Sequence, residues 1–112
     1  MIFVDKPLTR NEIEDIKNDY GSYVKVTTDI ENEWIMVGCE LHADAEETFF
    51  EKGSKQDDIW GGGVNLVDKI IDTTAVLNIR PRMNNDSMEL LDPVKREKYV
   101  KIVRNLFEEL WY

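Results

Sequence analysis

One cysteine and one histidine occur in 112 residues, and that scarcity removes several classes of chemistry. Cys39 has no partner for an internal disulfide. With His42 as the sole histidine, the chain cannot assemble a four-ligand Cys/His zinc site. No apolar run reaches the roughly 18 residues of a membrane helix, and the amino terminus shows no signal-peptide pattern. The expected compartment is therefore the cytoplasm, with no membrane partner. Positive charge is short as well: 14 Lys and Arg stand against 23 Asp and Glu, leaving a formal charge of −9. Phosphate affinity comes from clustered Lys and Arg, so nucleic acid is not an expected partner.

What is present suits one folded domain over residues 1–112. Apolar residues make up 42% of the chain and aromatics 10%, enough for a single modest core. Met1 to Val4 is apolar and β-prone. Thr9-Arg10-Asn11-Glu12 forms a capping box, with Leu8 and Ile13 as its hydrophobic staple. Ile13, Ile16 and Tyr20 make one stripe and Gly21 is a stop, which predicts a helix over 10–20. Residues 23–30 and 34–41 alternate on either side of a turn at Glu31-Asn32. The second run places Ile35, Val37, Cys39 and Leu41 on the core face, with Cys39 a small buried hydrophobe. Asp44-Ala45-Glu46-Glu47 is a second capping box, predicting a helix over 45–52 with Asp44 at its start. Residues 60–67 and 70–80 read as two strands, the later one ended by Pro81. Residues 82–91 read as polar loop. Asp92-Pro93 opens a helix, and Tyr99, Ile102, Val103, Leu106, Phe107 and Leu110 recur at helical spacing to the carboxyl end. No internal repeat, low-complexity tract or linker interrupts this order. The expected fold is α+β, in the order β-α-β-β-α-β-β-α, with a mostly antiparallel sheet and helices packed on one face.

Three runs carry a resemblance: Glu40-Leu41-His42-Ala43-Asp44, Gly53 through Gly61, and Asn78-Ile79-Arg80-Pro81. They resemble a small prokaryotic family of proteins of unknown function, the domain-of-unknown-function family 5674. The similarity extends nearly end to end and includes the Asp92-Pro93 helix. It implies a shared fold and supplies no activity and no cofactor.

Strand parity suggests where a site lies. If Leu41 faces the core, Glu40 and His42 face outward; if Leu77 and Ile79 face the core, Asn78 and Arg80 face outward as well. Were the two strands neighbours, these four would converge, with Asp44 closing one end. Glu40 and His42 are then the candidate catalytic pair, a carboxylate fixing the tautomer of an imidazole base. Arg80, Asn78, Asp44 and Trp60 are the candidate ligand-binding residues. Arg80 would grip a small anionic ligand bidentately, and Trp60 would stack on it. The plainer reading is an inter-strand Glu40–Arg80 ion pair with His42 as a strand-end polar residue. The Glu40-x-His42-x-Asp44 spacing is a weak metal pattern, and no metal is assigned. Gly61-Gly62-Gly63 lacks the Gly-Lys-Ser/Thr ending of a phosphate loop and reads as a bulge or strand entry. The alternative function is a non-catalytic module that self-associates as a homo-oligomer or binds a protein through Trp34, Met36 and the terminal Trp111-Tyr112. The resemblance favours the small-ligand site, because His42 and Arg80 lie within the matching runs.

Overall fold

The computed structural model describes residues 1–111. Two hairpin-like reversals generate most of it. β2 (Tyr23–Asp29) turns through Ile30–Glu33 into β3 (Trp34–Val37), pairing Val26 with Val37 and Asp29 with Trp34. The turn is organised by one buried carboxylate. Asp29 accepts from the Glu31 and Asn32 amides at 3.0 and 2.9 Å, from the Asn32 side chain at 2.7 Å and from the Ser54 hydroxyl at 2.5 Å. A fully buried charge survives there because its lone pairs are met. β4 (Ile59–Asn65) runs antiparallel along the other side of β2 and turns into the short β5 (Ile70–Asp72). β1 (Ile2–Val4) closes the far edge against β3, giving the order β1-β3-β2-β4-β5 with every pairing antiparallel.

Local signals place two of the three helices. In α1 (Arg10–Tyr20) the Thr9 hydroxyl accepts from the Glu12 amide at 3.1 Å, and the Glu12 carboxylate accepts from the Thr9 amide at 2.9 Å. α3 (Pro93–Leu106) starts on Asp92, which accepts from the Val94 and Lys95 amides at 2.9 and 3.1 Å. Both ends satisfy amides that a helix start otherwise leaves free. Among the described residues no helix is long and apolar enough to cross a membrane.

The α+β class and the antiparallel sheet agree with the sequence, but the helices do not share one face. Val24, Val26, Ile35, Val37, Trp60 and Val64 meet Ile13 and Ile16 of α1 and Tyr99, Ile102, Val103 and Leu106 of α3. On the opposite side, Met36 and Ile59 pack with Cys39 and with Ala45 and Phe49 of α2 (His42–Glu51). The side-chain period of two makes this possible, since residues such as Met36 supply a second apolar face.

Three boundaries also differ. β3 ends at Val37, because Gly38 takes φ +83 and breaks the alternation. Leu41, expected in the core, is 61% exposed as a result. Cys39 is still buried, but on the α2 face rather than beside Ile35 and Val37. α2 begins three residues earlier than its capping box suggests. Leu41 stands at its cap position with no side-chain bond, and Asp44 lies inside the first turn, where its charge suits the helix dipole. The strand expected over 70–80 stops at Asp72. Residues 73–91 instead form an irregular segment containing two 3-10 turns, Val76–Asn78 and Pro81–Met83.

Candidate functional site: a cleft over three glycines

The outer edge of β4 explains that missing strand. β5 pairs with Gly63, Val64 and Asn65 only. One step along, the Asn78 carboxamide takes the place of a strand. Its Oδ1 accepts from the Gly61 amide at 2.8 Å, and its Nδ2 donates to the Gly61 carbonyl at 2.9 Å and to Thr73 and Met88 carbonyls at 3.0 Å. Two residues further, Arg80 donates through Nη2 to the Ile59 carbonyl, through Nη1 to Gln56 O at 2.7 Å and through Nε to Leu77 O at 3.2 Å. Asn85 then holds the segment itself, donating to Asn78, Ser87 and Glu89 carbonyls and accepting from the Leu91 amide at 2.8 Å. Buried backbone needs partners, and side chains supply them here.

This overturns the convergent patch expected from parity. Asn78 is fully buried and Arg80 only 6% exposed, so both face inward. The acid beside Arg80 is Glu46 of α2 at 3.7 Å, not Glu40. Burial pulls the Arg80 guanidinium down from its usual pKa, and the Glu46 charge opposes that. Trp60, proposed to stack on a ligand, is 1% exposed. Its indole N–H donates to Asp57 O at 2.9 Å, and the Arg80 guanidinium and the Lys95 ammonium lie 4.4 and 5.2 Å from its ring centre. Glu40 is exposed; its backbone carbonyl, not its carboxylate, makes the contact in this region, accepting from the Lys25 ammonium. No hydrogen bond joins Glu40 to His42 among the described residues, so the carboxylate–imidazole pair does not form. Asp44 lies exposed in the first turn of α2, and a spacing of two on a helix turns it away from His42. No group of three or more His, Cys, Asp or Glu among the described residues is arranged to hold a metal ion. Trp34 and Met36, named as interface residues, are turned to packing. Met36 is 2% exposed beneath α2, and Trp34 meets the Phe3 ring edge-on at 5.5 Å. At the chain end, Trp111 packs under Arg104, while Tyr112 lies outside the described residues.

Of the expected set, His42 lines the cleft on the α2 face. A cleft of about 390 Å3 opens on the α2 face, lined by Tyr23 and Lys25 of β2, Leu41 to Ala43 at the start of α2, Thr74 to Leu77, and Met88. The glycines of β4 shape its surroundings. A Cβ on Gly61 would stand 2.8 Å from His42 Cδ2 and 2.8 Å from Ala75 Cβ, and one on Gly63 would collide with the Tyr23 hydroxyl. Glycine here makes room for two rings against the sheet. On the opposite face, a Cβ on Gly62 would strike Asp72 O and lie 2.5 Å from the Tyr99 hydroxyl.

The polar groups of the cleft have defined states. His42 Nε2 lies 2.8 Å from the Gly62 carbonyl, which can only accept, so Nε2 carries the proton and Nδ1 is an acceptor. Burial lowers the His42 pKa, a trend the Gly62 bond partly offsets and the Lys25 charge reinforces; the ring is neutral at pH 7. The Tyr23 hydroxyl donates to Asp72 Oδ2 at 2.7 Å. Its pKa is raised first by burial and then by that carboxylate. Thr74 donates to Glu89 at 2.8 Å. Lys25 gives one of its three protons to the Glu40 carbonyl, and the others have no partner among the described residues.

Sequence reasoning missed Lys25, Tyr23 and the Thr74–Leu77 wall. The strand pattern did put Tyr23 and Lys25 opposite Val24 and Val26, but nothing local announced that α2 would cover that side. No curated protein and no solved structure matches the chain. Residues 2–106 match a family model described as "Protein of unknown function (DUF5674)", and on that coverage the chain belongs to this family.

Proposed function

We propose that the protein binds a small organic anion with an apolar body in the cleft between β2, the start of α2 and Thr74–Leu77. One observation carries this reading: in a chain of charge −9, the Lys25 side chain, with open protons, lines a largely apolar cleft. Two features support it. The first turn of α2 has no side-chain cap, so its leading amides remain to be met at the same wall, against the opposing charge of Asp44 in that turn. Leu41, Val76 and Met88 rim the opening and are 61%, 70% and 44% exposed, surface that an apolar ligand would cover. The reading is of a binding site; His42 lacks the carboxylate partner of a strong general base. The rim favours a second reading, self-association across the cleft mouth, because the same three side chains form an exposed apolar cluster. Nucleic acid and membrane are not proposed as partners. A single, buried thiol fits a reducing compartment such as the cytoplasm.

A thermal-denaturation screen against short-chain carboxylates and phosphate monoesters tests this. A ligand at about 100 times its dissociation constant stabilises by about 2.7 kcal/mol. That stabilisation should vanish when Leu77→Trp fills the cleft. No stabilisation by any anion, or stabilisation that persists in the filled variant, contradicts the proposal. A concentration-dependent dimer in sedimentation, lost in Val76→Asp, would favour the second reading.

A further inference from the structure

The cleft offers one side-chain nitrogen that can accept a hydrogen bond and makes none among the described residues. Of the polar side chains lining it, Tyr23 donates to Asp72 and Thr74 donates to Glu89. Lys25 has only protons to give. His42 differs. Its Nε2–H is held by the Gly62 carbonyl, its ring is laid against Gly61, and Nδ1 has no hydrogen-bond partner among the described residues. Nδ1 is not among the buried atoms that lack a partner, so it is open to solvent. The residue forms part of the cleft wall. A ring fixed on one side by a carbonyl and on one face by a glycine strand presents its free nitrogen in a set direction. Preorganisation of this kind favours a ligand that matches it.

Resting on the anion reading above, we infer that the ligand is a carboxylate bearing a hydroxyl or amide N–H donor on the neighbouring carbon. The class is that of aliphatic 2-hydroxy acids and 2-acylamino acids. The carboxylate takes the open protons of Lys25, the adjacent donor meets His42 Nδ1, and the hydrocarbon chain lies against Leu41, Val76, Leu77 and Met88. The short link between acid and donor follows from the chain: the Lys25 ammonium is held on the carbonyl of Glu40, two residues before His42, and both side chains line the same cleft. A simple fatty acid would leave Nδ1 desolvated without a donor, and an unmet buried acceptor costs affinity.

The test titrates the full chain, followed by amide and imidazole NMR, with three probes: 2-hydroxy-4-methylpentanoate, 4-methylpentanoate and the methyl ester of the hydroxy acid. The hydroxy acid should bind about tenfold more tightly than the plain acid, the worth of one well-made hydrogen bond at a shielded site. The ester should bind more weakly than either acid. Shifts should cluster at Leu41 to Ala43 and Thr74 to Leu77, and the Nδ1 resonance should move only with probes that carry the hydroxyl. His42→Gln keeps a donor for the Gly62 carbonyl and removes the second nitrogen. It should bring the two acids to within about twofold of each other, by weakening the hydroxy acid and relieving the plain acid of its penalty at Nδ1. Equal or weaker binding of the hydroxy acid by the unaltered protein overturns the donor assignment and leaves the anion site standing. Binding of none of the three, or shifts confined to other surfaces, overturns both.

Discussion

On the α1/α3 face of the sheet, Tyr99, Phe107, Ile16 and Trp60 are all at most 1% exposed and form one continuous core. On the α2 face the apolar cluster is small, built round Met36, Ile59, Ala45 and Phe49, and the rest of the surface is a cleft between rings laid on glycines. The helices differ in the same sense. α1 and α3 carry side-chain caps, and α2 carries none. The Tyr99 hydroxyl, buried on the first face, has its partner in Val26 O at 2.9 Å. On the second face Lys25 keeps open protons. One side of the sheet is finished for stability, and the other retains unmet polar groups of the kind expected where a ligand binds.

The largest expected effect breaks this contrast directly. Phe107 and Phe49 are both fully buried, on opposite faces. Phe107→Ala should cost about 5 kcal/mol and Phe49→Ala about 3 kcal/mol, the two ends of the range for such truncations. The smaller cluster can relax toward the cleft, whereas the continuous core cannot. Urea unfolding of both variants checks the ordering, and equal losses would show that the two faces are equally rigid.

Asn78→Ala should come next, at about 3 kcal/mol, because it strips partners from the Gly61 amide and from several carbonyls. Hydrogen exchange gives the sharper readout. The Gly61 amide should lose protection relative to the amides of Gly63 and Asn65, where β5 continues the ladder. Uniform loss across β4 would mean that the carboxamide does not stand in for a strand.

The glycines allow the same comparison one residue apart. Gly62→Ala should cost about 2 kcal/mol by overpacking, since its Cβ meets the Asp72 backbone and a fully buried Tyr99. Gly63→Ala should cost about 1 kcal/mol, the Tyr23–Asp72 hydrogen bond, because Tyr23 is 43% exposed and can swing out. Thermal midpoints rank the pair.

The smallest effect is a pH dependence confined to the cleft face. The folded-state pKa of His42 lies below 6.5, so the unfolded chain binds the proton more readily. Its contribution to stability is complete above pH 6.5 and is lost as pH falls toward the folded value. Glu89, held below its usual 4.5 first by the Thr73 hydroxyl, contributes above that value and is lost below it. Denaturation midpoints should therefore fall between about pH 6.5 and pH 5 in the native sequence and stay flat there in His42→Gln. A fall of the same size in the variant would assign the effect to carboxylates.

Much of the architecture was legible because its signals are local. The Thr9 box, the Asp92-Pro93 start and the alternation of residues 23–30 each involve partners within a few residues. The site was not legible, for a reason visible at Asn78 and Arg80. Their alternation with Leu77 and Ile79 imitates an amphipathic strand, yet Ile79 is 45% exposed and the polar pair is buried. Parity assumes that polar side chains seek water, and these two seek the free edge of β4, which lies far away in sequence.

The sequence by itself determined that the chain is acidic, that Cys39 stands alone, and that an antiparallel α+β fold with three helices would form. Hydrophobic period and helix caps depend only on near neighbours. The tertiary structure decided that α2 would cross to the second face, that Asn78 and Arg80 would complete a sheet edge, and that Lys25 and His42 would line one cleft. Those outcomes depend on which backbone groups remain unpaired after the sheet assembles, and on space that only packed elements define.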